Sequence, residues 1–565
     1  MQNKWEFYEE YPQEVVDHVK KHLLAPELIV KLLLNRGLRT NEEVQAFLNP
    51  STGNLYDPFL MTDMEKAVDR IIEALGSKEC IYLFGDYDVD GITAVSMLYL
   101  FLKDLGGDVH YYIPDRQIDG YGLSAGGIQR IVESGGQLIV SVDCGITSIE
   151  EVKLAREMGV DIIVSDHHEQ GSTLPVATAV LDPKREECKY PFKDLAGVGV
   201  AYKLAQGIIQ KMGMGSEYVE KYIDLVALGS AADIVPLIDE NRVFVKEGLV
   251  KINNCPEVGI QALMDVAGLR VGKMDVGQII FGMAPRLNAV GRLGNAERAV
   301  ELLITRNAML AMELARELEN DNRRRKEIDN KTLEEAINEI ESFYDPEKDS
   351  SIVLMREKWH PGVIGIVASR IIERYYRPTI MITIENGIGK GSARSIPGFD
   401  IYDALKKCED LLLQYGGHKY AAGLSIKEEN ITEFRKCFNQ IAKEMITQGN
   451  LVPKITIDAV ITLSDITPQI VKFIGLFAPF GPKNMRPLFL SYGVEVIGTP
   501  RIVGTNHLKF RVRQQNDVFD CIGFNMGDYL NRLELGSKFI DLVYMVEETE
   551  WNNRKSIQLR VRDLK

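Results

Sequence analysis

Between Glu79 and His168 the chain repeats one unit, a short apolar run, a turn and an amphipathic segment, and this repetition constrains the fold more than any other feature. The runs are Ile81–Phe84, Val109–Ile113, Leu138–Val142 and Ile162–Val164. Such alternation reads as a parallel α/β sheet whose strands are joined by helices. Segments 198–212 and 218–228 carry apolar residues at helical spacing and complete this first domain, which is expected to end near Arg270.

The strand ends carry chemistry. Ile81–Phe84 is followed by Gly85-Asp86-Tyr87-Asp88-Val89-Asp90-Gly91 and then by the helical run Ile92–Leu102. Ligands of open parallel sheets bind beyond the C-terminal ends of the strands, and acids clustered there repel unless a cation neutralises them. Leu138–Val142 delivers Asp143, and Ile162–Val164 delivers Ser165-Asp166-His167-His168-Glu169. Asp233 follows an apolar helix in Ser230-Ala231-Ala232-Asp233-Ile234-Val235-Pro236. A single Asp after a strand is often only a helix cap or a turn former. The coincidence of several, with two adjacent histidines, points to a divalent-metal site. Asp and His together suit Mn²⁺ or Mg²⁺ better than a thiolate-selective metal or Ca²⁺. Pairs of such ions, about 4 Å apart, clamp a phosphodiester and activate water for in-line attack.

The chain of 565 residues exceeds what one core supports, so three or four domains are expected. From Leu303 to about Phe343 it is nearly free of Gly and Pro and predicts a long helix or helix pair acting as a connector. A second α/β block opens with Ser351–Met355, continues through Pro378–Ile384 and ends near the helical segment Glu429–Met445. After Pro453 alternating strands (454–461, 488–497, 507–513, 518–524, 539–547 and 556–561) predict a small barrel of the oligonucleotide-binding (OB) kind. In it Lys509, Arg511 and Arg513 share one strand face and Phe510 takes the other, which reads as a basic face suited to a single strand or simply as a solvated strand face. The net charge of −15 confines any nucleic-acid path to a local basic groove. Arg323-Arg324-Arg325-Lys326 is surrounded by acids and reads as a self-compensated helix face. Seven scattered cysteines, none at CxxC spacing, argue against a disulfide framework or zinc knuckle and fit a reducing cytoplasm. No export signal, membrane span or membrane partner is expected.

These residues resemble the DHH superfamily of phosphoesterases, named for the triplet matched by Asp166-His167-His168, with further motifs at Asp86–Asp90, Val142–Gly145 and Asp233. The resemblance implies that Asp88, Asp90, Asp143, His167 and Asp233 hold two metal ions. His168 would face the substrate phosphate or support the metals, with Asp86 in support. Trp359–Arg370, Gly391–Ser395, Gly416–Gly423, Ala284–Ala289 and Gly291-Arg292 are similar to the RecJ form of the family. That form implies a catalytic α/β domain at 61–270 behind an N-terminal helical segment at 1–60. A motif loop and connector (271–345), a DHH-associated α/β domain (346–452) and the OB-like barrel (453–565) would follow. By the same resemblance Arg116, Ser392 and Arg394 contact a terminal 5′ phosphate, and Arg286 and Arg292 hold internal phosphates. His360, Arg370, Gly416, Gly417, Lys509 and Arg511 line the nucleic-acid path, and His418 stabilises transition-state charge. Glycines admit a phosphate close to the backbone and Arg supplies forked donors, although the same segments also read as Gly-rich turns with surface arginines.

The activity implied is hydrolysis of single-stranded DNA from the 5′ end to mononucleotides, in recombination and repair. A RecQ-type helicase and a single-strand-binding protein would be partners. A phosphodiesterase of short oligonucleotides or cyclic dinucleotides, and a catalytically dead replication scaffold, are the alternatives; neither needs all of these features. Two departures from the family stand out. Phe84 occupies the place of a metal-proximal His, and Lys483-Asn484-Met485-Arg486-Pro487 replaces a Gly-Asn-Pro-rich turn.

Overall fold

The computed structural model describes all residues except 1–2, 24, 116–119, 121, 294, 447–450, 536–537 and 552–553. The chain packs into two compact units, one of residues 6–291, 295–317 and 456–565, the other of residues 1–5, 292–294 and 318–455. Among the described residues no helix is long and apolar enough to cross a membrane.

In the larger unit, β1 (Cys80–Gly85), β2 (Asp108–Tyr112), β3 (Leu138–Val142), β4 (Asp161–Ser165) and β5 (Ala179–Leu181) form a parallel sheet in the order β2-β1-β3-β4-β5. The four expected strands are present to within a residue at each end; the three-residue β5 had no signal of its own. β3 is buried along its whole length, the mark of a central strand covered on both faces. On one face Phe84, Ile139, Ile162 and Val164 pack with Ile128, Ile131, Val152 and Ala155 of helices Ala125–Glu133 and Ile149–Glu157. Helix Val89–Asp104 is almost entirely buried and packs against helices Gly197–Lys211 and Ile223–Ala232. Because all strands point the same way, their C-terminal residues Gly85, Val142 and Ser165 lie side by side.

The same unit contains the barrel. β11 (Phe489–Val503), β12 (His507–Gln514), β13 (Asp517–Gly523), β15 (Arg554–Leu564) and β14 (Phe539–Trp551) pair in that order, and β11 pairs back onto β14 to close it. The expected strand 454–461 joins the barrel sheet only in part: Ala459–Val460 pairs parallel with Phe489–Leu490 of β11, while Lys454–Ile457 does not belong to it. It breaks at Asp458, whose carboxylate accepts from Leu488 N at 2.9 Å and pairs with Arg36 at 3.6 Å. The three N-terminal helices Gln13–His22, Glu27–Leu34 and Asn41–Leu48 bury Val16, Ile29, Leu33 and Phe47 in one core with Phe477, Phe489 and Tyr544 of the barrel region.

Arg242, on helix Asp239–Asn254, crosses this core fully buried. Its guanidinium donates to the carbonyls of Phe47 (2.8 Å), Leu476 (3.2 Å), Phe477 (2.8 Å), Ala478 (3.0 Å) and Pro479 (3.2 Å), and stacks on the Phe47 ring at 3.9 Å. Asn484, from the departing turn, is buried and donates to the same Phe477 and Pro479 carbonyls at 2.8 Å. The replacement is thus a specific clasp rather than a loose loop.

In the smaller unit, β6 (Ile352–Glu357), β7 (Thr379–Glu385), β8 (Ile388–Arg394), β9 (Leu412–His418) and β10 (Ala421–Lys427) form a sheet in the order β9-β10-β8-β7-β6, parallel only between β6 and β7. Gly391 to Arg394 and Gly416 to His418, which also read as Gly-rich turns, are strands here. Gly389 and Gly391 are needed because a Cβ on either would come within 2.8 Å of the Ile382 or Leu424 side chains. The expected connector is one helix, Ala308–Phe343, not a pair. Its Arg323 pairs with the acid Glu319 at 2.8 Å, and Arg325 donates to the neutral Asn322 at 2.7 Å.

Candidate metal centre and phosphate-binding residues

Each ligand candidate is placed by a strand end or a cap. Asp88 caps helix Val89–Asp104, its carboxylate accepting from Asp90 N (2.9 Å) and Gly91 N (3.2 Å). Gly91 has to be glycine, since a Cβ there would sit 2.6 Å from the Asp86 backbone. Asp90 is buried and accepts from the amides of Gly197 (2.6 Å) and Val198 (2.9 Å) at the start of the next helix. Asp143 follows β3 with φ 61° and Ile234 follows Asp233 with φ 62°. Left-handed backbone at such residues costs about 1–3 kcal/mol each and persists where the surroundings hold it.

His167 is the hub. Its Nδ1 lies 3.0 Å from the Leu195 carbonyl and therefore carries the proton, which leaves the Nε2 lone pair facing outward. Nε2 is 3.1 Å from Asp143 Oδ1 and 3.8 Å from carboxylate oxygens of both Asp90 and Asp233. Burial, reinforced by His168, lowers the His167 pKa to about 3, so the ring is neutral. Burial first, and then the neighbouring acids, raise Asp143 and Asp233 far above the carboxylate range and Asp90 to about 7. Buried Asp143 Oδ1 has no hydrogen-bond partner. A lone pair aimed at converging carboxylates is repulsive by itself and favourable around a cation, so the donor set fits divalent metal. Ligand atoms of Asp86, Asp88 and Asp143 lie within 4.8 Å of one another, as do those of Asp90, His167 and Asp233 and those of Asp143, His167 and His168. Asp143 and His167 are shared, so the groups overlap.

Asp166, the first residue of the triplet, is turned to another task. Its Oδ1 accepts from His167 N (2.7 Å), His168 N (3.2 Å) and His168 Nδ1 (2.7 Å), and its Oδ2 from Ile146 N (2.9 Å). Burial opposes the charge on both partners, but their hydrogen bond holds Asp166 below its ordinary value and lifts His168 to about 9. Neither Asp166 nor the backbone groups of Leu195, Gly197 and Val198 stood among the sequence candidates. Phe84 is fully buried, 5.1 Å from the Tyr112 ring.

Of the phosphate candidates in this unit, Arg286 is buried and donates to the Gly282 carbonyl one turn back, and Arg116 lies outside the described residues. On β12, Lys509, Arg511 and Arg513 point outward while Leu508, Phe510 and Val512 are buried. Arg511 lies 3.6 Å from Asp520, and Arg513 is held by Glu495 at 2.5 Å, which leaves Lys509 and Arg511 the more available cations of that face.

In the smaller unit Ser392 and Arg394 adjoin on β8, Arg394 Nη1 donating to Ser392 Oγ at 3.2 Å. A Cβ on Gly365 would fall 2.8 Å from both side chains, so glycine opens the helix face to them. His360 caps helix Pro361–Tyr375, accepting from Gly362 N at 3.0 Å, and Arg292 donates to the Gly362 carbonyl at 2.9 Å. Arg370 pairs with Asp329 at 3.1 Å on the connector helix. Gly416, Gly417 and His418 end the exposed edge strand β9, and Gly417 has φ 137° with Ala421 O 2.5 Å from where a Cβ would be.

A parallel sheet with acids and a His pair at its C-terminal edge, followed by a mixed-sheet domain, defines a DHH phosphoesterase. Family models agree: the DHH family N-terminal domain matches residues 80–230, the DHHA1 domain 348–444 and the RecJ OB domain 457–563. The chain is 39% identical to the single-stranded-DNA-specific exonuclease RecJ of Bacillus subtilis, over 99% of this chain and 70% of that protein. Its identity to RecJ of Escherichia coli is 34%, over 94% and 95%. A crystal structure of Thermus thermophilus RecJ in complex with Mn²⁺ superimposes with a TM-score of 0.85 at 31% identity, covering all of this chain and 79% of that one. The chain belongs to the RecJ family.

Proposed function

We propose that this chain is a metal-dependent exonuclease that hydrolyses single-stranded DNA from its 5′ end to mononucleotides. One observation carries the reading: a neutral, buried His167 aims Nε2 at Asp90, Asp143 and Asp233. Its relatives are named as single-stranded-DNA-specific exonucleases, and one was crystallised with Mn²⁺ and with Mg²⁺. Asp88, Asp90, Asp143, His167 and Asp233 would hold two such cations. When bound, they neutralise the phosphodiester and lower the pKa of water toward neutrality.

The protein's own residues supply the rest. The Leu195 carbonyl fixes the His167 tautomer, and the Gly197 and Val198 amides fix Asp90. Asp166 keeps His168 protonated at neutral pH, so its second ring N–H is a charged donor for a phosphate oxygen. Asp86 supports this acid cluster. We assign Arg116, Ser392 and Arg394 to the terminal 5′ phosphate, Arg286, Arg292, His360, Arg370, Gly416 and Gly417 to the backbone that follows, and His418 to transition-state charge. Lys509 and Arg511 guide the strand on the barrel. The five segments 1–60, 61–270, 271–345, 346–452 and 453–565 serve as its domains. It acts in the cytoplasm in recombination and repair, beside a RecQ-type helicase and a single-strand-binding protein. Short substrates would need no barrel, and a scaffold would need no intact ligand set.

The test is degradation of DNA labelled at either end, single-stranded or duplex, against a dinucleotide, with Mn²⁺ or Mg²⁺. Loss from the 5′ end of the single strand is expected, and Asp143→Ala should lower it at least about 10³-fold while strand binding persists. Turnover of the dinucleotide alone, or full activity in Asp143→Ala, refutes the reading.

A further inference from the structure

Far from the acidic centre, Cys80, Asp108 and His110 bring three ligand atoms within 4.8 Å of one another. The sheet register builds this cluster. Cys80 is level with Asp108 and Tyr82 with His110 across the parallel pair β1 and β2, and period-two alternation turns all four side chains to one face. These are the N-terminal ends of the strands; six residues of extended chain, about 20 Å, separate Cys80 from Asp86.

The ligands are held in place beforehand. The His110 ring stacks on Tyr82, with centroids 5.2 Å apart and planes at 22°, and Nε2 lies 3.2 Å from Asp108 Oδ1. The next rung of the same ladder, Phe84 against Tyr112, anchors the stack in the core. Cys80 N is tied to Gln137 Oε1 at 3.2 Å, which fixes the base from which the thiol projects. One sulfur, one imidazole and one carboxylate make a softer donor set than the acidic centre offers and select a zinc-class cation over Mn²⁺ or Mg²⁺.

We propose that Cys80, Asp108 and His110 bind a Zn²⁺-class ion, with water as fourth ligand, and that this ion clips edge strand β2 to β1. Thiolate and carboxylate balance its double charge, and the thiol proton passes to solvent on binding.

The test titrates the full chain with Co²⁺, a spectroscopic stand-in for Zn²⁺, in excess Mg²⁺ that fills the acidic centre. A thiolate-to-cobalt charge-transfer band is expected that saturates at a single site, bleaches on adding Zn²⁺ and survives Asp143→Asn. It should vanish in Cys80→Ser and in His110→Ala; because His110 is exposed, the second variant separates lost ligation from lost folding. Zn²⁺ should also raise the melting temperature of the parent chain by more than that of His110→Ala, which keeps only the acidic centre. Absence of the band, or its persistence in Cys80→Ser, overturns the proposal.

Discussion

Asp166 shows how one side chain decides the charge of another. It accepts a hydrogen bond from His168 Nδ1 at 2.7 Å, and the pair holds His168 at about 9. His168 is therefore cationic from acid up to that pH. With Asp166→Asn the ring loses its charged partner and returns toward the ordinary His value of about 6.5, so the cation survives only below that. The alkaline limb of the pH–rate profile should move down by roughly two units, which steady-state rates across pH would reveal. Among the site residues, the acids and histidines were legible because side chains at strand ends are written in the sequence. Asp166 was legible as part of a triplet but not as the partner of His168, a role fixed by which way a turn faces. The Leu195 carbonyl and the Gly197 and Val198 amides were invisible, because every residue carries those groups and only the fold aims them.

At the scale of elements, the start of helix Gly197–Lys211 packs directly on the centre. A Cβ on Gly197 would lie 2.6 Å from Asp143 Oδ1, on an element that also holds Asp90. Gly197→Ala should weaken Mn²⁺ binding about 10–100-fold, measured by calorimetry, while circular dichroism stays that of the parent. The apolar runs foretold β1 to β4, most plainly β3, whose continuous Leu, Ile and Val suit a strand buried on both faces, whereas edge strand β2 exposes Asp108 and His110. The glycine-bearing β8 and β9 were harder to see. In β8 the partners Ile382 and Leu424 fill the space that Gly389 and Gly391 leave, while in β9 Gly417 admits the close approach of Ala421 and Ala422, and no local propensity reports either. Likewise the N-terminal helical segment was expected from the resemblance alone, and nothing local told its destination, the core shared with the barrel.

For the whole molecule, metal and proton compete. Asp90 has a folded pKa near 7, above its ordinary value near 4, and Asp143 and Asp233 are likewise raised well above theirs. A raised acid binds more protons folded than unfolded, so its contribution is full below the unfolded pKa and is lost as pH rises through the folded one. The metal-free protein should lose stability as pH rises from about 4 through about 7, where Asp90 ionises, and further as Asp143 and Asp233 follow, and cations restore it with fewer protons to displace the higher the pH. The gain in melting temperature on adding Mn²⁺ should thus be larger at about pH 8 than at about pH 6; an equal gain contradicts the charge arrangement described. Arg242 acts at the same scale. Arg242→Met strands several buried carbonyls at about 1–3 kcal/mol each, so urea unfolding should show a loss of at least about 3 kcal/mol.

The position of that guanidinium also governs what can be exchanged between relatives. Its five carbonyl acceptors come from the N-terminal helical segment and from the barrel's approach, while the cation itself projects from helix Asp239–Asn254. A barrel transplanted from another protein would arrive without the turn that Arg242 and Asn484 jointly grip, and a catalytic core cut free would expose a bare cation in its own apolar wall. Inheritance of the three parts is therefore collective: swapping one demands refitting the others.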